Sequence, residues 1–437
     1  MFEYEPHDPR TLLLFELAQR AESGYLLGDL AQAARPATRG DDPAVAREFL
    51  DRLATTTRDP DWAYEEPESL DEILAVLPDT PVAEVPGAAE LADRLLGAWL
   101  GRCAGCNLGK PVEKGDHWTA QHLRSYLELA DAYPLRDYFP VLDPMPAGYE
   151  LREFWTYTTR GRITESARDD DIDYTILGLH LLEEYGFGFT TADVATEWLD
   201  RLPYTQTYTA ERATYRNLVI GLGPDTAGRV DNPYREWIGA QIRADIYGYV
   251  HPGDPRAAAE LAYRDAVLSH TANGVYGEMW SAALVAAAFT APTARDAVEV
   301  SLTCVPPRSR LAEALTFVLE RHAAGDSWEQ ARAGIEERYG HYSWVHTVNN
   351  AALVAAGVLW GDGDFSATVG LTVQGGWDTD SNGATAGSVA GILAGAGKVP
   401  AHWTEPLHDT ARSAIRGFDG SRISDLAERT GRLVTRR

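Results

Sequence analysis

The sequence predicts an all-α protein, and three observations carry that prediction. Apolar residues recur at helical spacing along nearly the whole chain, and the alternating runs that make strands are scarce. The composition, 45% hydrophobic and 24% charged over 437 residues, is that of a folded globular chain. Two segments carry glycines spaced by four: Gly97, Gly101, Gly105 and Gly109, then Gly383, Gly387, Gly391 and Gly395. Residues four apart share a helix face, and each glycine costs a helix roughly 1 kcal/mol relative to alanine. Four in a row demand compensation, so the two glycine helices are expected to lie close together in a soluble core.

Taken in order, amphipathic helices are expected over residues 11–34 and 44–55, with a shorter one over 68–77. The stretch PDTPVAEVPGAAE, residues 78–90, holds three prolines and a glycine and is the best linker in the chain. It divides an N-terminal helical extension, 1–86, from a larger body, 87–437. In the body, helices are expected over 88–107, 120–130, 172–185, 191–201, 209–221, 256–270, 278–290, 294–303, 311–322, 328–339, 348–360 and 385–395. Residues 131–168 and 223–233 are rich in proline, glycine and aromatics and read as long ordered loops, which in compact domains are usually functional.

The 65 acidic against 39 basic residues give a formal charge of −26. That balance argues against a nucleic-acid surface, which needs clustered Lys and Arg, and against docking on anionic lipid. No run of 18 apolar residues is present, so no membrane span is expected. Three cysteines cannot make a disulfide framework. With no signal-peptide pattern in MFEYEPHDPR, a cytoplasmic location is expected.

Five segments offer chemistry. Asp169, Asp170 and Asp171 stand at the start of the helix expected from residue 172. One Asp there would be an ordinary N-cap; three in a row repel each other, which a solvated surface or a bound cation relieves. The segment GGWDTDSNG places Asp378, Asp380 and Ser381 in a compact turn, a set of hard oxygen donors that suits Mg²⁺, Mn²⁺ or Ca²⁺ rather than zinc. An Asx-turn capping the following helix is the bland alternative. Glu113 follows the Lys110-Pro111 break of the first glycine helix and by itself reads as surface. His270 ends a helix, as dipole caps often do, and Thr271, Asn273, Gly274, Tyr276 and Glu278 then form a polar loop able to bond and stack on a sugar or base. Gly239 and Ala240 leave room for a ligand to approach closely.

In combination these motifs resemble the ADP-ribosylglycohydrolase family. Gly97, Gly101, Gly105, Gly109, Pro111 and Glu113 are similar to its opening glycine stretch, and Asp169-Asp170-Asp171 to its Thr-Asp-Asp helix start. Ser269-His270 with the Ala-rich helix beyond is similar to its central segment, and Gly375, Gly376, Asp378, Thr379, Asp380 and Ser381 to its closing motif. The resemblance covers about residues 91–400. It implies an all-α orthogonal bundle with a dinuclear centre of two Mg²⁺ (or Mn²⁺). Asp169, Asp170 and Asp171 would bind one ion, Asp378 and Ser381 the other, and Asp380 would bridge. Glu113, Asp170 and Asp171 become the candidate catalytic carboxylates. His270, Asn273, Gly274, Tyr276, Gly239 and Ala240 would face the ribosyl substrate. The implied reaction is hydrolysis of a glycosidic bond to an ADP-ribosyl or related ribosyl group, on a small molecule or a protein. A small nucleoside or NAD-derived metabolite is the alternative substrate, and a non-catalytic ADP-ribose-binding relative the alternative role.

The departures are specific. Asp169 stands where the family has Thr, Cys106 where it has Asp, and Ile172 where it has Thr or Ser. Trp377 pads the last motif, the segment ANGVYGEMW is longer and more aromatic than usual, and residues 1–86 have no counterpart.

Overall fold

The computed structural model describes residues 5–435; the ends of the N-terminal extension and of the body, residues 1–4 and 436–437, lie outside the described residues. The described chain forms twenty-two α-helices and one pair of two-residue strands, Thr410–Ala411 and Ser421–Arg422, as the periodicity predicts. Among the described residues no helix is long and apolar enough to cross a membrane.

Two helices form the axis of the body. The first glycine helix, Ala88–Gly109, runs antiparallel to the second, Thr379–Ala394, because Gly97 meets Gly391, Gly101 meets Gly387 and Gly105 meets Gly383. A Cβ on any of these glycines would collide with the carbonyl of its partner, so backbone packs on backbone at three successive contacts. That contact supplies the compensation the glycine spacing demands. The second glycine helix begins six residues earlier than its sequence pattern, at Thr379, so Asp378 is its N-cap residue and Asp380 and Ser381 stand in its first turn rather than in a loop.

Other boundaries also differ from expectation, and the helix Phe365–Gln374 was not expected. The helix expected over 11–34 breaks at Ser23 into Pro9–Glu22 and Asp29–Ala34, with Gly24 and Gly28 at positive φ between them. The expected loop at 271–278 is instead the start of the buried helix Ala272–Ala288, whose tertiary packing overrides the weak propensity of Asn273 and Gly274. Within the loops 131–168 and 223–233 lie single helical turns, Trp155–Thr158 and Pro224–Ala227.

The N-terminal extension lies on the body through its own small core. Leu12, Leu13, Leu50 and Leu53 pack on Ala210, Tyr234 and Trp237. Buried polar bonds fasten the same face: Gln19 and Ser23 donate to Glu236 at 2.7 and 2.8 Å, and Arg310 forks onto Glu66 and Glu236.

Candidate metal centre and adjoining cavity

The antiparallel glycine pair brings the C-terminal end of one helix to the N-terminal end of the other. Gly109 lies against the backbone of Thr379, whose hydroxyl donates to the Gly109 carbonyl at 2.9 Å. The turn Lys110–Val112 then sets Glu113 beside Asp378 and Asp380, and one carboxylate oxygen from each lies within 4.8 Å of the others. Thus residues more than 260 positions apart in sequence share one site.

The first glycine helix also positions the triple-Asp segment. Asn107 accepts from the Ala167 N–H at 3.0 Å, and Arg102 donates to the Asp171 carbonyl at 2.9 and 2.7 Å while pairing with Asp245 at 2.8 Å. Both hold the start of the helix Asp170–Tyr185. Asp169 is its N-cap and accepts from the Asp171 N–H at 3.1 Å. Cys106, Asp169 and Asp171 bring one ligand atom each within 4.8 Å of one another. The Ser381 hydroxyl donates to Asp171 at 3.3 Å and joins the two groups. Asp173, next on the helix, points away onto Ser413 and Arg168.

Mutual repulsion adds to burial at most of these carboxylates. Burial, then the neighbouring Asp380 charge, pushes the Glu113 carboxyl well above its usual range. Asp378 is raised by burial and by Asp380, Asp171 by burial and by Asp169, and Asp170 likewise by burial and Asp169. Asp380 is pushed up to about 6 by burial and by Asp169. Asp169 alone goes the other way: burial would raise it, but the Lys110 ammonium against it wins. One oxygen of Asp171 is buried with no hydrogen-bond donor. Carboxylates and a hydroxyl, mutually repelling and partly undonated, are the donor set of a hard divalent cation, so the residues present fit Mg²⁺ or Mn²⁺.

The residues expected to face substrate lie elsewhere and have partners within the protein. Asn273 donates to Glu66 at 2.7 Å and to Glu236 at 2.9 Å, and Tyr276 donates to the Pro67 carbonyl, so both serve the seam with the N-terminal extension. Gly274 packs under the Arg235 carbonyl and Gly239 under the Glu211 carboxylate, and Ala240 is fully buried. His270 is buried with Nδ1 on Ser269 at 2.8 Å, and burial followed by the Arg243 charge holds its imidazole well below the usual range. Arg243 also pairs with Glu211 at 2.7 Å and faces the Tyr174 ring, one turn beyond the triple-Asp segment.

Sequence reasoning missed two features. Lys110 sits inside the acidic cluster; its only signal was a lysine, one of three in the chain, just before Pro111-x-Glu113. The second is an open cavity of about 660 Å³ lined by Trp328, Tyr342, Trp344, Gln374 and Trp377 among others. None of the six expected substrate residues lines it, and neither does the N-terminal extension. Trp377, the extra residue of the closing motif, is held at φ +61° with the Arg332 guanidinium 4.1 Å over its ring. Asn350 ties this wall to the acids: it accepts from the Asp378 N–H at 3.3 Å and donates to the Trp344 carbonyl at 2.9 Å. Gly115 and Asp116, just past Glu113, line the same cavity. The aromatics were illegible as a set because they come from separate elements.

Comparison with known proteins gives a family model, described as ADP-ribosylglycohydrolase, that matches residues 87–437. A solved structure described as an "ADP-ribosylglycohydrolase-related protein complex" is 21% identical, with a TM-score of 0.43, covering 79% of this chain and 99% of that one. No curated protein matches.

Proposed function

The chain belongs to the ADP-ribosylglycohydrolase family, and on that premise we propose that it is a divalent-cation-dependent hydrolase of the glycosidic bond to an ADP-ribosyl group. The observation that carries this is the convergence of Glu113, Asp169, Asp171, Asp378 and Asp380, from three distant segments, onto one buried cluster.

In the proposed reaction water attacks the anomeric carbon of the ribosyl group, the glycosidic bond breaks, and the leaving nitrogen or oxygen takes up a proton. A bound Mg²⁺ or Mn²⁺ supplies positive charge that orients the ribose hydroxyls and lowers the pKa of water. Glu113 is the proposed acceptor of the water proton. It follows the break of the glycine helix, and its side chain keeps 24% exposure while the Asp169 and Asp171 carboxylates are sealed. Burial and the neighbouring Asp380 charge raise its affinity for protons, which favours a proton acceptor. Asp170 and Asp171 are held by the helix start and by Arg102 and are the alternative carriers. The transition state gathers positive charge on the sugar ring, which a carboxylate-lined pocket stabilises.

The cavity favours a second reading of the substrate. Its aromatic wall adjoining Asp378 suits a planar heterocycle, as in a nucleoside or NAD-derived metabolite. A screen of ADP-ribosyl-arginine, ADP-ribosyl-serine, NAD and nucleosides, with and without Mg²⁺, tests both. Release of ADP-ribose from a modified amino acid, abolished by chelation, is expected under the first. Base release from free ribosides alone identifies the second, and turnover after chelation sinks the cation-dependent mechanism.

A further inference from the structure

Lys110 lies where a cation would be expected. Its side chain is buried at the end of the first glycine helix, its ammonium pairs with Asp169, and the Phe154 ring lies 4.4 Å from it on another side. Burying an ammonium is costly unless it is paired, and here a carboxylate and an aromatic face both receive it.

The two ligand groups of the cluster differ in what remains free. In the group of Cys106, Asp169 and Asp171, both oxygens of Asp169 are in use, one accepting from the Asp171 N–H and the other from Lys110. Asp171 accepts from Ser381 through one oxygen, and the other, which has no hydrogen-bond donor, lies 3.8 Å from the Arg102 guanidinium. The third member is a thiol, a soft ligand that a hard divalent cation does not favour. In the group of Glu113, Asp378 and Asp380 the ligands are all carboxylates. Asp378 makes no capping bond to its own helix, Asp380 accepts from the Ser381 N–H at 3.0 Å through one oxygen, and the nearest cation to Glu113 is Arg152 at 3.7 Å.

We propose that the protein binds a single divalent cation, between Glu113, Asp378 and Asp380, and that the Lys110 ammonium permanently fills the neighbouring position beside Asp169. The inference rests on the cluster being the cation site of the proposed function, and it replaces the two-ion centre the family resemblance implies. Lys110 and Asp169 are then a matched pair: the carboxylate that stands where the resemblance expects Thr anchors the ammonium. The ammonium offers positive charge but no open coordination position, so substrate oxygens meet it only as hydrogen-bond acceptors.

The test is a Mn²⁺ titration of chelator-stripped protein, read by calorimetry and by electron paramagnetic resonance, without substrate. One Mn²⁺ per chain is expected for the wild type, two for Lys110→Met, and none for Asp380→Ala. Two ions in the wild type overturn the proposal, as does an unchanged stoichiometry in a folded Lys110→Met. Should that variant not fold, the wild-type stoichiometry and its spectrum still decide, because two Mn²⁺ a few ångströms apart couple magnetically and one does not. Binding of no Mn²⁺ by the wild type also overturns it. A chain that binds one Mn²⁺ but hydrolyses none of the screened ribosides upholds this inference and sinks the proposed function instead.

Discussion

Asp380 links the acids of the cluster, because it neighbours both Glu113 and Asp378 and feels the charge of Asp169. Asp380→Ala is expected to abolish turnover and to remove the rise in melting temperature that Mg²⁺ confers on the wild type, with circular dichroism unchanged. Glu113→Gln should weaken that Mg²⁺ response without abolishing it, because the amide keeps one oxygen donor beside Asp378 and Asp380, and lower kcat by about 10²- to 10⁴-fold, the usual range for losing a general base. Protonation gives a third expectation. The Asp380 carboxyl is raised from 3.8 to about 6 in the folded protein, so the fold holds that proton more tightly than the unfolded chain. Metal-free protein therefore has this contribution in full below pH 4 and loses it as pH rises through about 6, and the raised carboxyls of Glu113 and Asp378 act in the same direction. The Mg²⁺-induced shift in melting temperature, measured by scanning calorimetry, should accordingly be larger at pH 7 than at pH 5. At this scale the acids were legible in the sequence, because three adjacent aspartates and an Asp-x-Asp turn are costly patterns without a purpose. Lys110 was not, since nothing in the sequence says that its ammonium would fold back onto Asp169.

The glycine helices show how an element can be read from a cost. Four glycines at one helical face cannot be explained by propensity, and the structure supplies the answer in the backbone contact of Gly101 with Gly387 and Gly105 with Gly383. Gly105→Val puts side-chain atoms into the Gly383 carbonyl, and overpacking of this kind costs about 1–3 kcal/mol or more. Denaturant unfolding should show that loss, together with weaker cation binding, because the same contact sets the spacing of Glu113 and Asp380. Gly188→Ala, where no atom lies within 4 Å of the new methyl, is the matched control and should be near neutral. The start of the helix at Ala272 was illegible for the converse reason. Asn273 is a poor helix former in isolation, and its place is fixed by Glu66, Glu236 and the Leu311 N–H, all distant in sequence.

At the scale of the molecule, residues 78–87 carry no helix or strand, as their prolines predict, and the family match begins at residue 87. What the extension does to the body was not legible, because it depends on pairings such as Glu66 with Arg310 that span 244 residues. Burial would raise the Glu236 carboxyl, but Arg310, His346 and the Asn273 amide together outweigh it and lower it to about 2. That pairing therefore contributes stability above the ordinary carboxylate range, about pH 4.5, and loses it as pH falls towards 2. Removal of residues 1–86 exposes Tyr234 and Trp237 and strips Glu66 from a buried arginine. The truncated chain is expected to melt several degrees lower and to self-associate, as size-exclusion chromatography would show.

The antiparallel glycine pair also bears on how the protein comes into being. The first glycine helix leaves the ribosome some 270 residues before the segment that must cover it. Until then its bare glycine face has no partner, and the acids around Asp169 stand without Asp378 and Asp380. Contacts this distant form slowly, and unfinished chains of this size are prone to aggregate. The acidic cluster should therefore mature last, after synthesis is nearly complete, and ribosome-bound chains stalled before residue 378 should bind Mn²⁺ far more weakly than the released protein.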